Sequence, residues 1–382
     1  MRILTCVGDA TSIHTHGGLP FHLLEAGRHA GFIDGGWKLA PEKLRVKRAY
    51  WNLRRWATHG EVGGYQYSPE FIHSLVTQAP KEKADIDEVI SIFPLLPMDH
   101  SKFGSVSLYI DATLKNNFED YRLDERLGKS IASEALERER SLYFQATRVV
   151  CRSRAAAKSV IEDYGVDPAK VHFVAGGANI SRHAGISLSP VEFEPMKPLR
   201  LGFIGKDWRR KNLPFLLDIA DSLHARGLDV EVAAAGFNPT LGPKHPLLRS
   251  VGFIDKHRNV NQFIAFVRSC HFLCLFSHAE AFGISNREGL RLGVPVLARD
   301  VGGIRDAVPH GCGRLFEPRA SADEIADVVA EYVDDADRYR ELRAHVTERS
   351  NEFTWDAAVQ KMREIWAGSK AYSYLAVQSA NA

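Results

Sequence analysis

The sequence has 382 residues, 45% hydrophobic and 25% charged, which is typical of globular proteins and long enough for two domains. Its 49 Lys and Arg residues against 47 Asp and Glu leave a formal net charge of +2, which argues against a nucleic-acid-binding protein. Five scattered cysteines without a Cys-x-x-Cys pair, and no apolar run of about 18 residues, predict a cytoplasmic protein with reduced thiols and no membrane-spanning helix.

The chain begins with a strand, a glycine-containing loop and a helix. Ile3–Val7 predicts a buried strand, and Leu19–Gly31 predicts the helix that follows it. Gly17 and Gly18 lie in the loop between them, where backbone amides at a helix start can bind a phosphate. A tight turn that binds no ligand is an equally good interpretation of these glycines.

A basic and aromatic segment follows at Lys43–Trp56. It interleaves cations with aromatic rings, namely Lys43, Arg45, Lys47, Arg48, Arg54 and Arg55 with Tyr50, Trp51 and Trp56. On a helix this pattern favours contact with an anionic membrane surface, which predicts peripheral attachment to the inner face of the membrane. The alternative is a surface helix that packs its aromatic rings within its own domain.

Carboxylates stand near two predicted strands of the first half. Asp85 and Asp87 form an Asp-x-Asp triplet, which can hold a divalent metal on a sugar nucleotide. The triplet precedes the predicted strand Val89–Phe93 instead of ending one, so it predicts surface carboxylates and no metal site. Asp111 follows the predicted strand Val106–Ile110, where side chains point into the binding crevice of an α/β sheet. Asp111 is therefore a candidate active-site residue.

A proline-rich stretch, Ser189–Leu199, predicts a linker near the middle of the chain. Strands and helices alternate on both sides of it, which predicts two doubly wound parallel α/β domains with a cleft between them. The predicted N-terminal domain is residues 1–195 and the second domain is residues 199–352. Residues 353–382 supply a final amphipathic helix and a tail.

The second half contains clustered cations and a spaced pair of carboxylates. Arg209–Lys211 follow the predicted strand Leu201–Ile204, and three cations at that position suit a diphosphate. Glu280 and Glu288 bracket a helix start that contains Gly283, which permits close backbone approach. Together these residues predict a site for an elongated ligand with phosphates in its middle.

These residues resemble a known family. Glu280–Glu288 resembles the E-x7-E motif of the retaining glycosyltransferases of family 4, and Phe203–Asn212 is similar to that family's donor-phosphate loop. Val301–Ile304 and Gly313–Pro318 resemble the segments that follow, and the similarity is clearest over Leu199–Pro318. The resemblance implies the GT-B fold, with two Rossmann-like domains facing across a cleft and the final helix packing back on the N-terminal domain. It also implies transfer without a metal or other cofactor.

The resemblance also implies roles for individual residues. Arg210 and Lys211 would neutralise the donor diphosphate, Glu280 would orient the donor sugar, and Glu288 would hold the ribose. Asp111 occupies the strand end where many members carry a catalytic His, and it is expected to take that role. The remaining donor-binding residues implied are Gly17, Gly18, Gly205, Lys206, Phe253, Ile254, Phe282, Gly283, Ile284, Ser285 and Asn286.

The predicted reaction moves a hexose from a UDP- or GDP-sugar to a hydroxyl of a glycan or lipid-linked acceptor, in cell-envelope or polysaccharide biosynthesis. Two positions depart from the family pattern, since Lys206 stands where Arg is common and Asn212 where Gly is usual. Two alternatives stay open. One is a sugar-nucleotide epimerase or a phosphorylase on the same fold, and the other is a non-catalytic nucleotide-sugar-binding protein.

Overall fold

The computed structural model of this chain describes residues 1–60, 62–80, 85–92, 94, 104–123, 127–186, 188, 198–374 and 376. Contacts divide it into two compact units. The first unit comprises Met1–Ala175 and Val359–Ala382, and the second unit comprises Gly176–Ala358. The proline-rich stretch predicted as the linker lies mostly outside the described residues.

The first unit breaks off at Ala175, before the predicted domain boundary at residue 195. The reason is that the segment just after Ala175 packs against residues much later in the chain. The backbone N–H of Ala178 donates to the carbonyl of Phe353 at 2.8 Å. Nε1 of Trp355 donates to Oδ1 of Asn179 at 2.9 Å. The predicted boundaries at 195 and 352 therefore both fall inside the second unit.

The first unit is built on a six-stranded parallel sheet. In the spatial order β2-β1-β3-β4-β5-β6, its strands are β1 (Arg2–Thr5), β2 (Gly35–Gly36), β3 (Glu88–Ser91), β4 (Ser105–Ile110), β5 (Arg148–Cys151) and β6 (Val171–Phe173). Its helices include α1 (Leu19–His29), α2 (Arg45–His59), α3 (Pro69–Val76), α4 (Leu114–Tyr121), α5 (Lys129–Gln145) and α6 (Arg154–Glu162). Val89, Val106 and Val149 are buried, as expected for apolar strands covered on both faces.

The second unit is built on another six-stranded parallel sheet. In the spatial order β12-β11-β10-β7-β8-β9, its strands are β7 (Leu199–Ile204), β8 (Val230–Ala235), β9 (Leu248–Ser250), β10 (Phe272–Leu275), β11 (Val296–Arg299) and β12 (Gly313–Phe316). Its helices include α7 (Leu213–Ala225), α8 (Val260–Arg268), α9 (Ile284–Arg291), α10 (Ile304–Ala307), α11 (Ala322–Asp334) and α12 (Ala336–Glu348). Phe203, Phe272 and Leu297 lie in its core.

A last helix, α13 (Trp355–Trp366), begins in the second unit and ends in the first. Within the first unit, Nε1 of Trp366 donates to Oε2 of Glu88 at 2.5 Å. The ring of Trp366 packs edge-on against Phe32, and the guanidinium of Arg2 lies 4.3 Å from the centroid of Phe32. Because Glu88 also pairs with Arg2 at 2.7 Å, the end of α13 closes a satisfied polar cluster beside β1 and β3.

The helices were compared with the length and hydropathy that a membrane-spanning helix needs. Within the parts of the chain that the structure describes, no helix has the length and apolar character required to cross a bilayer.

Candidate functional site

Two loops of the second unit meet at the carboxyl edge of its sheet. One follows β7 and carries Arg210 and Lys211, and the other follows β10, carries Glu280 and leads into α9. β7 and β10 are hydrogen-bonded neighbours, but the chain continues from β7 to β8 on one side and from β10 to β11 on the other. A parallel sheet opens a ligand-binding crevice where its strand order diverges in this way. The topology therefore explains why residues about 70 positions apart share one site.

Lys211 connects the two loops. Its Nζ donates to the carbonyl of Ile204 at 3.0 Å and lies 3.4 Å from Oγ of Ser285 on α9. The side chain crosses Gly205, where an added Cβ would lie only 2.5 Å from Cδ of Lys211. Gly205 therefore leaves the space that the lysine needs to reach α9.

Glu280 is held by contacts with its side chain and with its backbone. Nη1 of Arg210 lies 3.3 Å from Oε2 of Glu280, and Oγ of Ser277 donates to the same oxygen at 3.3 Å. The backbone N–H of Gly303 donates to the Glu280 carbonyl at 3.1 Å. At Gly302, which has a φ of +52°, an added Cβ would lie 2.1 Å from that carbonyl oxygen. Gly302 therefore allows the backbone to approach Glu280 closely.

Glu288 forms an ion pair with Lys256, a residue that the sequence analysis did not single out. The carboxylate of Glu288 is only 3% exposed, whereas the Lys256 side chain is 30% exposed. Nζ of Lys256 also lies 5.0 Å from the ring centroid of Phe263 on α8. A buried carboxylate requires a charged or hydrogen-bonding partner, so the burial of Glu288 explains the place of Lys256. Lys256 lies two positions after Ile254 in sequence, and that proximity was the available signal.

Charges of opposite sign alternate through this site, in the group that we call the charge row (Arg210, Glu280, Lys211, Glu288 and Lys256). Burial lowers the pKa of the Lys211 ammonium below its ordinary value. Glu280 and Glu288 oppose this lowering of the pKa, and Arg210 and Lys256 reinforce it. Three cations against two carboxylates leave one positive charge, which favours an anionic ligand.

The start of α9 places backbone amides and one buried side-chain amide beside the charge row. Gly283 caps the helix with a φ of +81°, in the left-handed region that favours glycine. Phe282 and Ser285 are buried, and Ile284 is half-buried. Asn286 is fully buried, and neither atom of its side-chain amide has a hydrogen-bond partner among the residues described. An unsatisfied buried amide is unfavourable, so a ligand that pairs with it would gain binding energy there.

The predicted base-binding residues lie in the loop after β9. Phe253 is 61% exposed, and Nζ of Lys206 lies 5.1 Å from the centroid of its ring. Ile254, the next residue in the chain, is buried at 7% exposure. An exposed ring beside a cation offers a flat surface on which a planar ring can stack. The structure thus assembles Lys206, Phe253 and Ile254 in the same unit as the charge row.

Gly17 and Gly18 lie in the first unit, in the loop that joins β1 to α1. Both have left-handed backbone angles, with φ of +68° and +91°. His16 precedes them with a φ of +46°, and its Nε2 lies 2.8 Å from the carbonyl of Val7. An added Cβ at Gly17 would meet nothing within 4 Å, whereas one at Gly18 would lie 3.1 Å from the carbonyl of Ile13. The turn therefore requires both glycines, and the space beside Gly17 is open.

Asp111 lies where it was expected, directly after β4 of the first unit. Its Oδ2 pairs with Nη2 of Arg152 at 2.5 Å, and the aspartate side chain is 49% exposed. Arg152 itself is buried and follows β5, the neighbour of β4. A half-exposed carboxylate with a buried cation behind it is held in one orientation at the edge of the sheet.

In the Asp-x-Asp triplet, Asp87 pairs with the N-terminus of the chain. Oδ2 of Asp87 pairs with the N-terminal ammonium of Met1 at 2.6 Å, and its side chain is 84% exposed. It precedes β3, at the edge of the sheet opposite to that of Asp111. Over the described ranges, no group of three or more His, Cys, Asp or Glu side chains forms a cluster suited to a metal ion.

Comparison with known protein families places a match in the second unit. Residues 187–352 match the family described as glycosyl transferases group 1. That stretch contains every member of the charge row, together with Lys206, Phe253 and the start of α9.

Curated relatives share about a quarter of the sequence over roughly 60% of this chain. A D-inositol 3-phosphate glycosyltransferase of Rhodococcus erythropolis is 25% identical over 249 residues, which is 60% of this chain and 55% of the relative. The protein of the same description from Thermomonospora curvata is 26% identical over 259 residues, covering 59% and 58%. The chain thus spans somewhat over half the length of these relatives.

Solved structures match almost the whole chain at low identity. Sucrose-phosphate synthase from Thermosynechococcus elongatus has a TM-score of 0.65 and 16% identity, covering 97% of this chain and 100% of that one. WaaG, described as a glycosyltransferase involved in lipopolysaccharide biosynthesis, has a TM-score of 0.64 and 14% identity, covering 96% and 100%. Anabaena HepE in complex with UDP-glucose has a TM-score of 0.62 and 15% identity, covering 97% and 100%. The predicted GT-B fold class is confirmed, and the resemblance to GT-B glycosyltransferases is confirmed with it.

Proposed function

We propose that this chain, a GT-B protein with a group 1 glycosyl transferase segment at residues 187–352, is a retaining glycosyltransferase that uses a nucleoside diphosphate sugar. The charge row beside the start of α9 carries the proposal. It combines a net positive charge, free backbone amides and an unpaired buried amide at the point where the strand order diverges. These are the features that a diphosphate with a sugar at one end requires.

Each member of the charge row has a proposed task. Arg210 and Lys211 stabilise the negative charge that grows on the diphosphate as it leaves. Glu280 accepts hydrogen bonds from hydroxyls of the sugar, and Glu288 accepts them from the ribose. Preorganised cations and amides are the largest source of rate in reactions that develop charge on a leaving group. Because these groups supply the positive charge, the proposed reaction needs no metal ion or other cofactor.

Both carboxylates are paired before a donor arrives. Arg210 contacts Glu280 and Lys256 contacts Glu288. The incoming diphosphate competes with Glu280 for Arg210. Hydroxyls of the sugar then donate hydrogen bonds to Glu280 in place of the arginine. Binding therefore exchanges ion pairs within the site for ion pairs with the ligand, which limits the desolvation of unpaired charge.

The base end of the donor is proposed to lie by Phe253 and Ile254, with Lys206 beside the Phe253 ring. A planar pyrimidine or purine would stack on the exposed ring. HepE, one of the solved structures with this fold, was crystallised with UDP-glucose. We therefore propose a UDP- or GDP-hexose as the donor, with UDP as the first nucleotide to test.

The acceptor is proposed to be a hydroxyl of a glycan or of a lipid-linked sugar, in polysaccharide or cell-envelope biosynthesis. The acceptor hydroxyl would attack the reacting sugar carbon on the same face from which the diphosphate leaves, so the configuration at that carbon is retained. In the first unit, Gly17 and Gly18 are proposed to contact the donor phosphates, and Asp111 is proposed to act near the reacting carbon. The WaaG description, which names lipopolysaccharide biosynthesis, supports an envelope acceptor. The protein is proposed to work in the cytoplasm, attached peripherally to an anionic membrane surface.

A donor screen tests the proposal. Titration calorimetry with UDP and GDP measures nucleotide binding, and incubation with a panel of sugar nucleotides measures hydrolysis or transfer. Slow release of free sugar in its original anomeric configuration is expected from one donor. An isomerised sugar nucleotide as the product would identify an epimerase, and binding without turnover would identify a non-catalytic protein. Absence of binding to either nucleotide would overturn the assignment.

A further inference from the structure

Helix α2 is attached to the first unit by one narrow side. Nε1 of Trp51 donates to the carbonyl of Gly63 at 2.9 Å, and the backbone N–H of Gly63 donates to Oδ1 of Asn52 at 3.0 Å. The Trp51 ring packs against Tyr65, and Arg55 is buried on the same side. The rest of the helix is thereby left at the surface.

The opposite side of α2 presents apolar side chains to the outside. Val46 is 81% exposed, Tyr50 66%, Leu53 63% and Trp56 62%. Residues spaced by four, three and three positions share one face of a helix. An ordinary surface helix buries its apolar face, so α2 has the reverse arrangement. We call these four residues the outer stripe.

Cations flank the outer stripe. The sequence of α2 contains five Lys or Arg residues and no Asp or Glu. Arg45 and Arg48 are both exposed, with Arg45 next to one edge of the stripe and Arg48 further round the helix. On the other edge, Nζ of Lys47 donates to Oγ of Ser74 at 2.9 Å, and Arg54 pairs with Glu70 at 3.4 Å. The helix therefore combines an apolar outer face with positive edges.

A groove of about 570 Å³ adjoins the outer stripe, between α2 and α3. Val46, Tyr50 and Trp51 line one wall, and Tyr65 and His73 line the other. Because Val46 and Tyr50 belong to both features, the apolar surface continues from the stripe into the groove. This enlarges the apolar area that a partner could cover.

We propose that α2 lies flat in the headgroup layer of an anionic membrane, with the outer stripe reaching the acyl-chain boundary and the groove receiving part of a lipid chain. Apolar residues that include Trp and Tyr between rows of cations are the pattern of helices that bind in the membrane interface. The cations contact anionic headgroups, which an apolar protein partner would not supply. This proposal names an anionic membrane as the partner of the proposed peripheral attachment, and the outer stripe of α2 as the surface that contacts it. It does not depend on the donor chemistry of the second unit.

Co-sedimentation with liposomes tests the apolar face. The probe is vesicles of phosphatidylcholine alone or mixed with phosphatidylglycerol. The unchanged protein should pellet with the mixed vesicles, and Leu53→Glu should weaken that binding about tenfold. Leu241→Glu is the matched control, because Leu241 is 71% exposed and lies in the second unit. It should bind as the unchanged protein does.

A pair of charge variants tests the cations. Arg45→Gln combined with Arg48→Gln should weaken binding to the mixed vesicles about 30-fold. Lys115→Gln combined with Lys158→Gln removes the same charge from α4 and α6 of the same unit and should have little effect. A loss of equal size in both pairs would mean that only net charge matters, and it would overturn the assigned face.

Other occupants of the stripe give different results. If a second copy covers it, light scattering will show a dimer that Leu53→Glu converts to a monomer, with no difference between vesicles. Equal pelleting with phosphatidylcholine alone, or unchanged pelleting of both Leu53→Glu and Trp56→Ser, would also overturn the proposal. Circular dichroism confirms that each variant is folded, and a separate measurement of UDP binding distinguishes failure of this proposal from failure of the donor assignment.

Discussion

Nη1 of Arg210 lies 3.3 Å from Oε2 of Glu280, so a cation and a carboxylate with different proposed tasks neutralise each other. Oγ of Ser277 donates to the same carboxylate oxygen at 3.3 Å. The pair is partly exposed, with the arginine at 37% and the glutamate at 13%. Solvent therefore weakens it enough for a diphosphate to compete.

Replacement of Lys211 should impair catalysis strongly. Lys211→Met keeps the length of the side chain but removes the charge that lies between the two carboxylates. We expect turnover to fall at least about a hundredfold, because the leaving diphosphate loses a preorganised cation. Steady-state kinetics with the donor found by the screen measures the change, and circular dichroism checks the fold. Arg210→Ala should act in the same direction.

Arg209→Ala is the matched control for these variants. Arg209 was predicted with Arg210 and Lys211 to suit a diphosphate, but it is exposed and its guanidinium lies 4.1 Å from the ring centroid of Trp208, outside the charge row. Its removal should change turnover less than about threefold, as for a solvated surface charge. Near-normal turnover in both Lys211→Met and Arg210→Ala would contradict the phosphate assignment.

Replacement of Lys256 should destabilise the second unit through Glu288. Lys256→Met leaves a carboxylate that is 3% exposed without its cation. We expect the free energy of unfolding to fall by about 1–3 kcal/mol, less than for a fully buried pair because Lys256 is partly exposed. Chemical denaturation measures this change.

A second substitution should recover part of that loss. In Lys256→Met combined with Glu288→Gln, the buried carboxylate loses its charge together with its cation, so stability should rise relative to Lys256→Met alone. A double variant less stable than both single variants would show that the pair is not the source of the effect. Donor affinity should fall in every member of this cycle, since Glu288 is proposed to hold the ribose.

A methyl group at Gly302 should disturb Glu280 from its backbone side. In Gly302→Ala, the new Cβ would meet the Glu280 carbonyl oxygen at 2.1 Å, so the loop after β10 has to shift. We expect a destabilisation of about 3 kcal/mol, from the left-handed backbone and the clash together, with loss of donor binding. Thermal unfolding and calorimetry measure the two effects.

Gly227→Ala separates backbone strain from the clash. Gly227 has a φ of +84° after α7, and an added Cβ there would meet nothing within 4 Å. Only the strain of about 1–2 kcal/mol should appear, with donor binding intact. Equal effects at both glycines would mean that the approach to Glu280 is unimportant.

Stability should depend on pH through Glu139, a buried carboxylate on α5. Burial raises its pKa from 4.5 to about 7, although hydrogen bonds from Tyr164, the Leu114 backbone and Tyr143 act in the opposite direction. The folded protein therefore binds a proton that the unfolded chain releases near pH 4.5. The resulting stability, on the order of 3 kcal/mol, is complete below pH 4.5 and is lost as pH rises through about 7.

Thermal unfolding at several pH values checks this dependence. The melting temperature of the unchanged protein should fall relative to that of Glu139→Gln as pH rises from 4.5 to 7. Glu137→Gln is the control, because Glu137 is exposed on the same helix. Parallel pH profiles of the unchanged protein and Glu139→Gln would contradict the assignment.

Local patterns were sufficient to predict the fold class. Alternating strand and helix periodicity implied doubly wound sheets, and the loop after β7 was already recognisable from Arg210 and Lys211. These features depend on short stretches of sequence, in which apolar spacing reflects burial directly. The separate tasks of Glu280 and Glu288 remain predictions, although the structure pairs Glu280 with Arg210 and Glu288 with Lys256.

Pairings across the fold were not predictable in this way. Lys256 is 32 positions from Glu288, and Glu139 is 25 positions from Leu114, so no local period relates them. The limits of the two contact units also depend on tertiary contacts, because Trp355 and Phe353 hold the chain after Ala175. The Lys43–Trp56 segment was predicted to present cations and aromatic rings on a helix, but only coordinates reveal that its apolar side faces outward.

The route of α13 has a consequence for the order of folding during synthesis. The first unit includes both β1 and the segment from Val359, whereas the second unit is one continuous stretch. During synthesis, the last residue of the second unit, Ala358, is translated before Trp366, which packs beside Arg2 and Glu88 of the first unit. The half of the protein that is translated first is therefore completed last.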